Sequence, residues 1–220
     1  MENINYQKIG FKAGLELHQQ LSGTKLFCRC PVITNKTEKP DVIIKRKIRA
    51  IAGVEGKKDI AALYEEQKDK IFVYEYYHET NCLFCIDEEP VNELNHEALE
   101  AGLKVALLLK AKPIKNIKVM RKIILDGSCT SSFQRTCLIA ENGKIETSKG
   151  IVRIPTILLE EEAAKKISTN GKEVTFRLDR LGIPLLEIAT SPDIKDPEHA
   201  KETAEIIGMV LRSVDLVKRG

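Results

Sequence analysis

The sequence predicts an α+β fold, mainly antiparallel sheet with flanking helices, and three observations lead there. Many short runs of alternating or apolar residues are spread along the chain, the signature of half-buried strands. Two gaps between such runs carry Asn142-Gly143 and Asn170-Gly171, a dipeptide suited to a two-residue type I′ hairpin and therefore to antiparallel neighbours. Helical patterns interrupt the strands only occasionally instead of alternating with them, which argues against a doubly wound sheet.

Residues 8–20 and 25–30 read as strands around a Ser22-Gly23 turn. Residues 59–68 read as a short helix, and residues 70–77 as a packed strand that accounts for the clustered Tyr74, Tyr76 and Tyr77. The clearest helix is 95–109. Asn95 is its N-cap, Pro113 stops the chain from continuing, and Leu99, Leu103, Ala106, Leu107 and Lys110 follow the 3.6-residue period. Further strands are predicted at 117–125, 133–140, 144–147, 151–159, 174–178 and 185–189. A last helix starts at Asp196-Pro197, with proline at the first helical position, and runs to residue 210.

A chain of 220 residues that is 43% apolar can bury a sizeable core. No run approaches the length of a membrane span and the first residues do not form a signal peptide, so the cytoplasm is the expected compartment. There, six cysteines serve as thiols or zinc ligands more readily than as disulfides. The ending Val217-Lys218-Arg219-Gly220 is abrupt, as if a longer protein had been cut.

A net charge of +3 does not announce a nucleic-acid binder. Lys36, Lys39, Lys45, Arg46, Lys47 and Arg49 do crowd one segment, broken only by Glu38 and Asp41. They read either as a solvated loop and edge strand or as a phosphate-contacting RNA surface with salt-dependent binding. With no tryptophan and few other aromatics, base stacking is not a visible part of the design. No GxxxxGK[ST] or GxGxxG phosphate loop and no amidase-like nucleophile motif is present.

The acids carry the strongest chemical signal. Glu16 and His18 lie two apart in an alternating segment, so in a strand they share a face. Glu187 interrupts an apolar run, which costs free energy unless the carboxylate is paired or bound to a cation. Glu160, Glu161 and Glu162 follow another apolar run. Together these residues could form the oxygen-rich shell that Mg²⁺ prefers. His18 complicates that assignment, because imidazole better suits zinc or manganese; it could support a ligand, contact substrate, or be a satisfied half-buried histidine. Glu160 to Glu162 could equally open a solvated helix. Cys28-x-Cys30 followed by Cys82-x2-Cys85 offers four thiolates in two close pairs, enough to close a tetrahedral structural zinc site. Cys129 and Cys137 read as small buried hydrophobes.

Several linked motifs, in one order over nearly the whole chain, resemble the GatB/GatE family, and within it the archaeal GatE branch of glutamyl-tRNA(Gln) amidotransferases. They are Ala13-Gly14-Leu15-Glu16-Leu17-His18-Gln19-Gln20-Leu21, Lys25-Leu26-Phe27-Cys28-Arg29-Cys30, Met120-Arg121-Lys122-Ile123-Ile124-Leu125-Asp126-Gly127-Ser128, Phe133-Gln134-Arg135-Thr136, Leu159-Glu160-Glu161-Glu162-Ala163, and the run from Arg177 to Ala189. The resemblance implies a cradle-like catalytic domain over 1–220, with helical and tRNA-binding regions downstream. It implies a ligase that phosphorylates the γ-carboxylate of Glu-tRNA(Gln) with ATP and displaces the phosphate with ammonia from a GatD-type, asparaginase-like partner in a heteromeric complex. It places the Mg²⁺ ligands at His18, Glu161 and Glu187, with Glu16 in the same catalytic pocket and a shift from Glu161 to Glu160 left open. Two alternatives stand beside it: a zinc-stabilised RNA-binding or assembly module without catalysis, and a GatB-type protein paired with an amidase.

Overall fold

The structure is a computed structural model and describes residues 5–6, 8–33, 39–47, 56–58 and 60–219. Lys36, Glu38 and Arg49 of the basic segment, and residue 59 of the first predicted helix, lie outside these. In chain order the elements are β1 (Glu16–Gln20), β2 (Val42–Arg46), α1 (Ile60–Gln67), β3 (Ile71–Tyr76), a single 3-10 turn (Leu83–Ile86), α2 (His96–Leu108), β4 (Lys112–Pro113), β5 (Val119–Ile123), β6 (Phe133–Thr147), β7 (Gly150–Glu161), β8 (Lys165–Asn170), β9 (Glu173–Arg177), β10 (Pro184–Ala189) and α3 (Pro197–Arg212).

The strands form two sheets. The first runs β1-β10-β7-β6-β4, with β5 also paired to β6, and every pairing is antiparallel. The second runs β2-β3-β9-β8, and only its β3–β9 pair is parallel. Three helices flank these largely antiparallel sheets, in line with the predicted α+β class.

One face of the first sheet is sealed. Ala98, Ala101 and Val105 of α2 and Ile207 and Leu211 of α3 share a core with Ile139, Ile157, Leu159, Leu186 and Ile188. Both helices begin as the sequence predicts. The Asn95 side chain accepts from the Ala98 amide at 3.0 Å, and Asp196 accepts from the His199 amide at 2.8 Å with Pro197 in the first turn. The buried stripe of α2 differs from the predicted one. Its inner face is Ala98, Ala101, Gly102, Val105 and Ala106, while Leu107 is exposed. The reason is close approach: a Cβ on Gly102 would meet Ile139 Cδ1 at 2.7 Å, so small residues line the closest contact, with the predicted Ala106 among the buried residues and Leu99 and Leu103 partly buried against the same core.

Three other predicted elements are corrected. Residues 25–30 are not a strand but a tight loop closed by a Thr24–Pro31 bridge, with the Lys25 amide donating to Cys30 O at 2.9 Å. The strand predicted at 8–20 is regular only over Glu16–Gln20. Asn142-Gly143 makes no hairpin, since β6 runs through it to Thr147 and the chain reverses at 148–149. Gly143 serves close packing instead, because a Cβ there would lie 3.0 Å from both Leu109 O and Ala111 Cβ. Asn170-Gly171 does turn the chain between β8 and β9, with Gly171 at φ +57°. The exposed strand β8 itself went unpredicted, having no apolar alternation to reveal it.

Within the described part of the basic segment, Val42–Arg46 is an edge strand, and Lys45, Arg46 and Lys47 each meet an acid. Lys45 meets Glu173 at 2.6 Å, Arg46 meets Glu88 at 2.5 Å, and Lys47 meets Asp69 at 2.5 Å. Tyr74 and Tyr76 pack in the second sheet's core with Phe72, Val174 and Phe176. Gly127 bends the loop after β5 over that core at φ +86°, and a Cβ there would fall 2.1 Å from Phe72 Cδ1. Gly127→Ala is therefore expected to destabilise the fold by about 2 kcal/mol, read as a fall of several degrees in Tm.

Candidate active site

The face of the first sheet opposite α2 and α3 is open, and register decides which side chains stand on it. His18 lies directly across from Glu187 in the β1–β10 pair, and residues opposite one another share a face. Two-residue spacing adds Glu16 on β1, and Leu185↔Glu160 brings Glu160 on β7 to the same side. His18 Nε2 thus lies 3.5 Å from Glu16 Oε1, 3.6 Å from Glu187 Oε2 and 3.8 Å from Glu160 Oε1. One ligand atom each from Glu16, His18 and Glu187 falls within a 4.8 Å span. Glu16 and His18 face solvent while Glu160 is buried at the floor. Beside it Thr136, directly across from Glu160 in register, holds a buried hydroxyl with no hydrogen-bond partner.

Electrostatics favour a cation here. Burial pushes the Glu160 carboxyl up from its ordinary range, and the neighbouring Glu187 pushes it further, while His18 and Lys122 oppose the shift. Next along the same strand face, Glu162 is also raised by burial against the pull of Arg180. Its carboxylate accepts from the Gln20 amide and lies 3.3 Å from Arg180 Nε. Crowded, half-desolvated carboxylates around one imidazole are the donor set that a divalent ion relieves.

Glu161 takes a different place from the one the resemblance implied. Adjacent strand residues face opposite ways, so Glu161 points away from His18 and binds Arg135. Arg135 donates its backbone amide to Glu161 Oε2 at 3.0 Å and its guanidinium to both carboxylate oxygens at 3.1 and 3.3 Å. The guanidinium is ringed by Phe27, Phe84 and Phe133, with centroids at 5.7, 4.8 and 4.8 Å. This is a buried ion pair, and Glu160 is the acid that meets His18. Glu160 and Glu161 end β7 and Glu162 follows directly, its amide donating to Ile183 O at 2.9 Å; the run does not open a helix. Arg135→Met is expected to cost about 3–5 kcal/mol by stranding a buried carboxylate. Adding Glu161→Gln should recover much of that loss in chemical denaturation.

The cysteines converge behind the sheet. Cys28 and Cys30 sit on the tight loop 24–31, and Cys82 and Cys85 flank the start of the 3-10 turn, where the Cys85 amide donates to Cys82 O at 3.0 Å. The four sulfurs lie within 4.8 Å of one another, with Cys28 and Cys85 at 3.9 Å. A tetrahedral metal bound at about 2.3 Å holds its sulfurs about 3.8 Å apart, so the set fits zinc. Within the cluster, hydrogen bonds from Cys28, Cys30 and Cys82 pull the Cys85 thiol down, while those three thiols are themselves raised. By contrast, burial pushes Cys129 up to about 12 and Cys137 to about 11, consistent with their predicted role as small hydrophobes.

Sequence reasoning missed Arg135 and its aromatic ring, Lys122, Thr136 and the Gln20–Glu162–Arg180 link. Strand parity across the paired β6 and β7 could have flagged Arg135 and Thr136, given the register in advance; Lys122, Gln20, Glu162 and Arg180 come from other segments and carry no such signal.

Residues 11–220 match the family model described as "GatB/GatE catalytic domain", so the chain belongs to the GatB/GatE family. Its relatives there include proteins named as the E-type subunit of glutamyl-tRNA(Gln) amidotransferase. The chain is 51% identical to that of Methanosarcina barkeri, over 100% of this chain and 35% of the relative. It is 51% identical to that of Methanocaldococcus jannaschii, over 99% and 34%, and 49% identical to that of Pyrococcus furiosus, over 100% and 35%. The chain thus spans about a third of the length of these relatives.

Proposed function

We propose that this chain carries the phosphoryl-transfer and transamidation site of an ATP-dependent glutamyl-tRNA(Gln) amidotransferase, a carbon–nitrogen ligase of protein biosynthesis. The observation that carries this reading is the cluster of Glu16, Glu160 and Glu187 around His18 on an open sheet floor. Family membership and the amidotransferase relatives support it.

In the proposed reaction a γ-carboxylate oxygen of the tRNA-linked glutamate attacks the γ-phosphorus of ATP and ADP leaves. Ammonia then attacks the acyl carbon of the γ-glutamyl phosphate and phosphate leaves, giving the amide. Mg²⁺ held by the cluster would supply charge neutralisation for the phosphoryl group in transfer. Glu160 and Glu187 supply its oxygen donors with Glu16 beside them, and His18 stands between the acids as ligand or substrate contact. This reading replaces Glu161 by Glu160 in the ligand set; Glu161 instead fixes the end of β7 through Arg135. Lys122 on β5, which is separated from β7 by β6, bears on Glu160 across that strand and brings a positive charge toward the acids.

The ammonia source in this reading is a GatD-type, asparaginase-like partner within a heteromeric complex. The tRNA body binds regions of the protein outside this chain, whose 1–220 form the catalytic cradle. The cytoplasm follows as its compartment; no helix among the described residues is long and apolar enough to cross a membrane. The test is reconstitution of this chain within a protein of its relatives' full length, with the partner, ATP, Mg²⁺ and Glu-tRNA(Gln). Formation of Gln-tRNA(Gln) that depends on ATP supports the proposal. RNA binding with no affinity for Mg²⁺-ATP would instead indicate a zinc-stabilised assembly module.

A further inference from the structure

Lys25 is the most unusual cation in the fold. It is 1% exposed and heads the fully buried side chains by size. A buried ammonium is costly unless an anion meets it, yet the hydrogen bonds of its Nζ go to Cys85 Sγ at 3.5 Å and to the Leu178 carbonyl at 3.1 Å, with no carboxylate among them. The anion that justifies this burial is therefore sulfur. Four thiolates around one divalent ion carry a net charge of −2, and one buried cation offsets half of it.

The lysine also bridges two segments. Its own amide closes the thiol loop on Cys30 O, and the next amide, of Leu26, donates to Gly182 O at 2.8 Å. Its aliphatic stem runs beneath Gly182, which sits at φ +82°; a Cβ there would lie 3.5 Å from Lys25 Cδ. Gly182 in turn donates to Glu162 O at 2.8 Å, and β10 with Glu187 starts two residues later.

We infer that Lys25 is an outer-sphere partner of the thiolate metal centre, and that it ties the bound metal to the 178–182 turn leading into β10. The inference rests on the reading of Cys28, Cys30, Cys82 and Cys85 as metal ligands. In this arrangement the centre holds more than its own loops: it fixes the entry to the strand that carries Glu187.

The experiment loads the purified chain with Co²⁺ and follows sulfur-to-cobalt charge-transfer absorption while a chelator competes for the ion. Wild type is expected to show a tetrathiolate spectrum; a wild-type chain that takes up no metal overturns the ligand reading itself. Lys25→Met is expected to keep four sulfur ligands, shift the charge-transfer bands and weaken retention by about 10- to 100-fold. Lys25→Arg, which keeps the charge, should stay nearer wild type. Retention by Lys25→Met equal to wild type overturns the inference while leaving the metal centre intact. Hydrogen exchange on the wild-type chain gives a second measurement that needs no variant to fold. Metal removal should raise exchange across 178–182 as well as in the cysteine loops, with the β8–β9 hairpin as internal control; unchanged protection at 178–182 overturns the proposed link.

Discussion

Glu187→Gln in the reconstituted complex is expected to lower ATP-dependent amidation of Glu-tRNA(Gln) by on the order of 100-fold or more while leaving the Tm close to wild type. The side chain sits on the solvent side of the sheet, half-buried, with its carboxylate 3.6 Å from the His18 imidazole. Glutamine keeps its shape and removes only the negative charge, so packing is spared and cation binding is not. Glu160→Gln should behave alike, and by relieving repulsion between two crowded acids it should not destabilise the fold. Glu161→Gln is the informative contrast. Its carboxylate serves Arg135, so the substitution should reduce stability while retaining Mg²⁺ dependence. Wild-type turnover in Glu187→Gln would remove this residue from the site. Loss of Mg²⁺ response in Glu161→Gln but not Glu160→Gln would restore the assignment that the family resemblance implied.

Losing the thiol centre should have the largest effect on stability. The wild-type chain is expected to hold about one zinc, and Cys85→Ser or stripping by a strong chelator should lower its Tm by on the order of 10 °C. Two effects combine. Cys28, Cys85, Phe27 and Phe84 belong to the main hydrophobic core, so opening the cysteine loops opens that core. Lys25 would also lose its anion while still buried, and a buried charge stripped of its partner costs about 3–5 kcal/mol. Metal analysis together with thermal denaturation checks both. A zinc-free chain with an unchanged Tm would mean that the four thiols pack as hydrophobes. Alkylation supplies an independent reading: Cys129 and Cys137 should stay slow to react with or without metal, while the four cluster thiols become reactive only once the metal is removed.

Much of this was readable in the residues. Asn95 and Asp196-Pro197 mark helix starts through local capping chemistry, which needs no distant partner. The Glu16–His18 pair follows from strand alternation alone, and the two close cysteine pairs follow from spacing. The isolated acid at 187 announced itself because an apolar run makes an unpaired carboxylate expensive.

Other features depend on segments far apart in sequence. Whether Glu160 or Glu161 joins His18 is a matter of parity, fixed by the pairing Leu185↔Glu160 between strands that meet only in the folded chain. Asn142-Gly143 has the chemistry of a hairpin, yet Leu109, Ala111 and Ile154 crowd Gly143 and keep it within a long strand. Lys25 looks like any surface lysine until the cysteine loop folds over it, and Arg135 finds its acid and its aromatic ring only across paired strands. Local pattern determined which residue types this protein brings to its chemistry. Tertiary structure decided which of them meet, because a shift of one residue in register sends every side chain of a strand to the other face of the sheet.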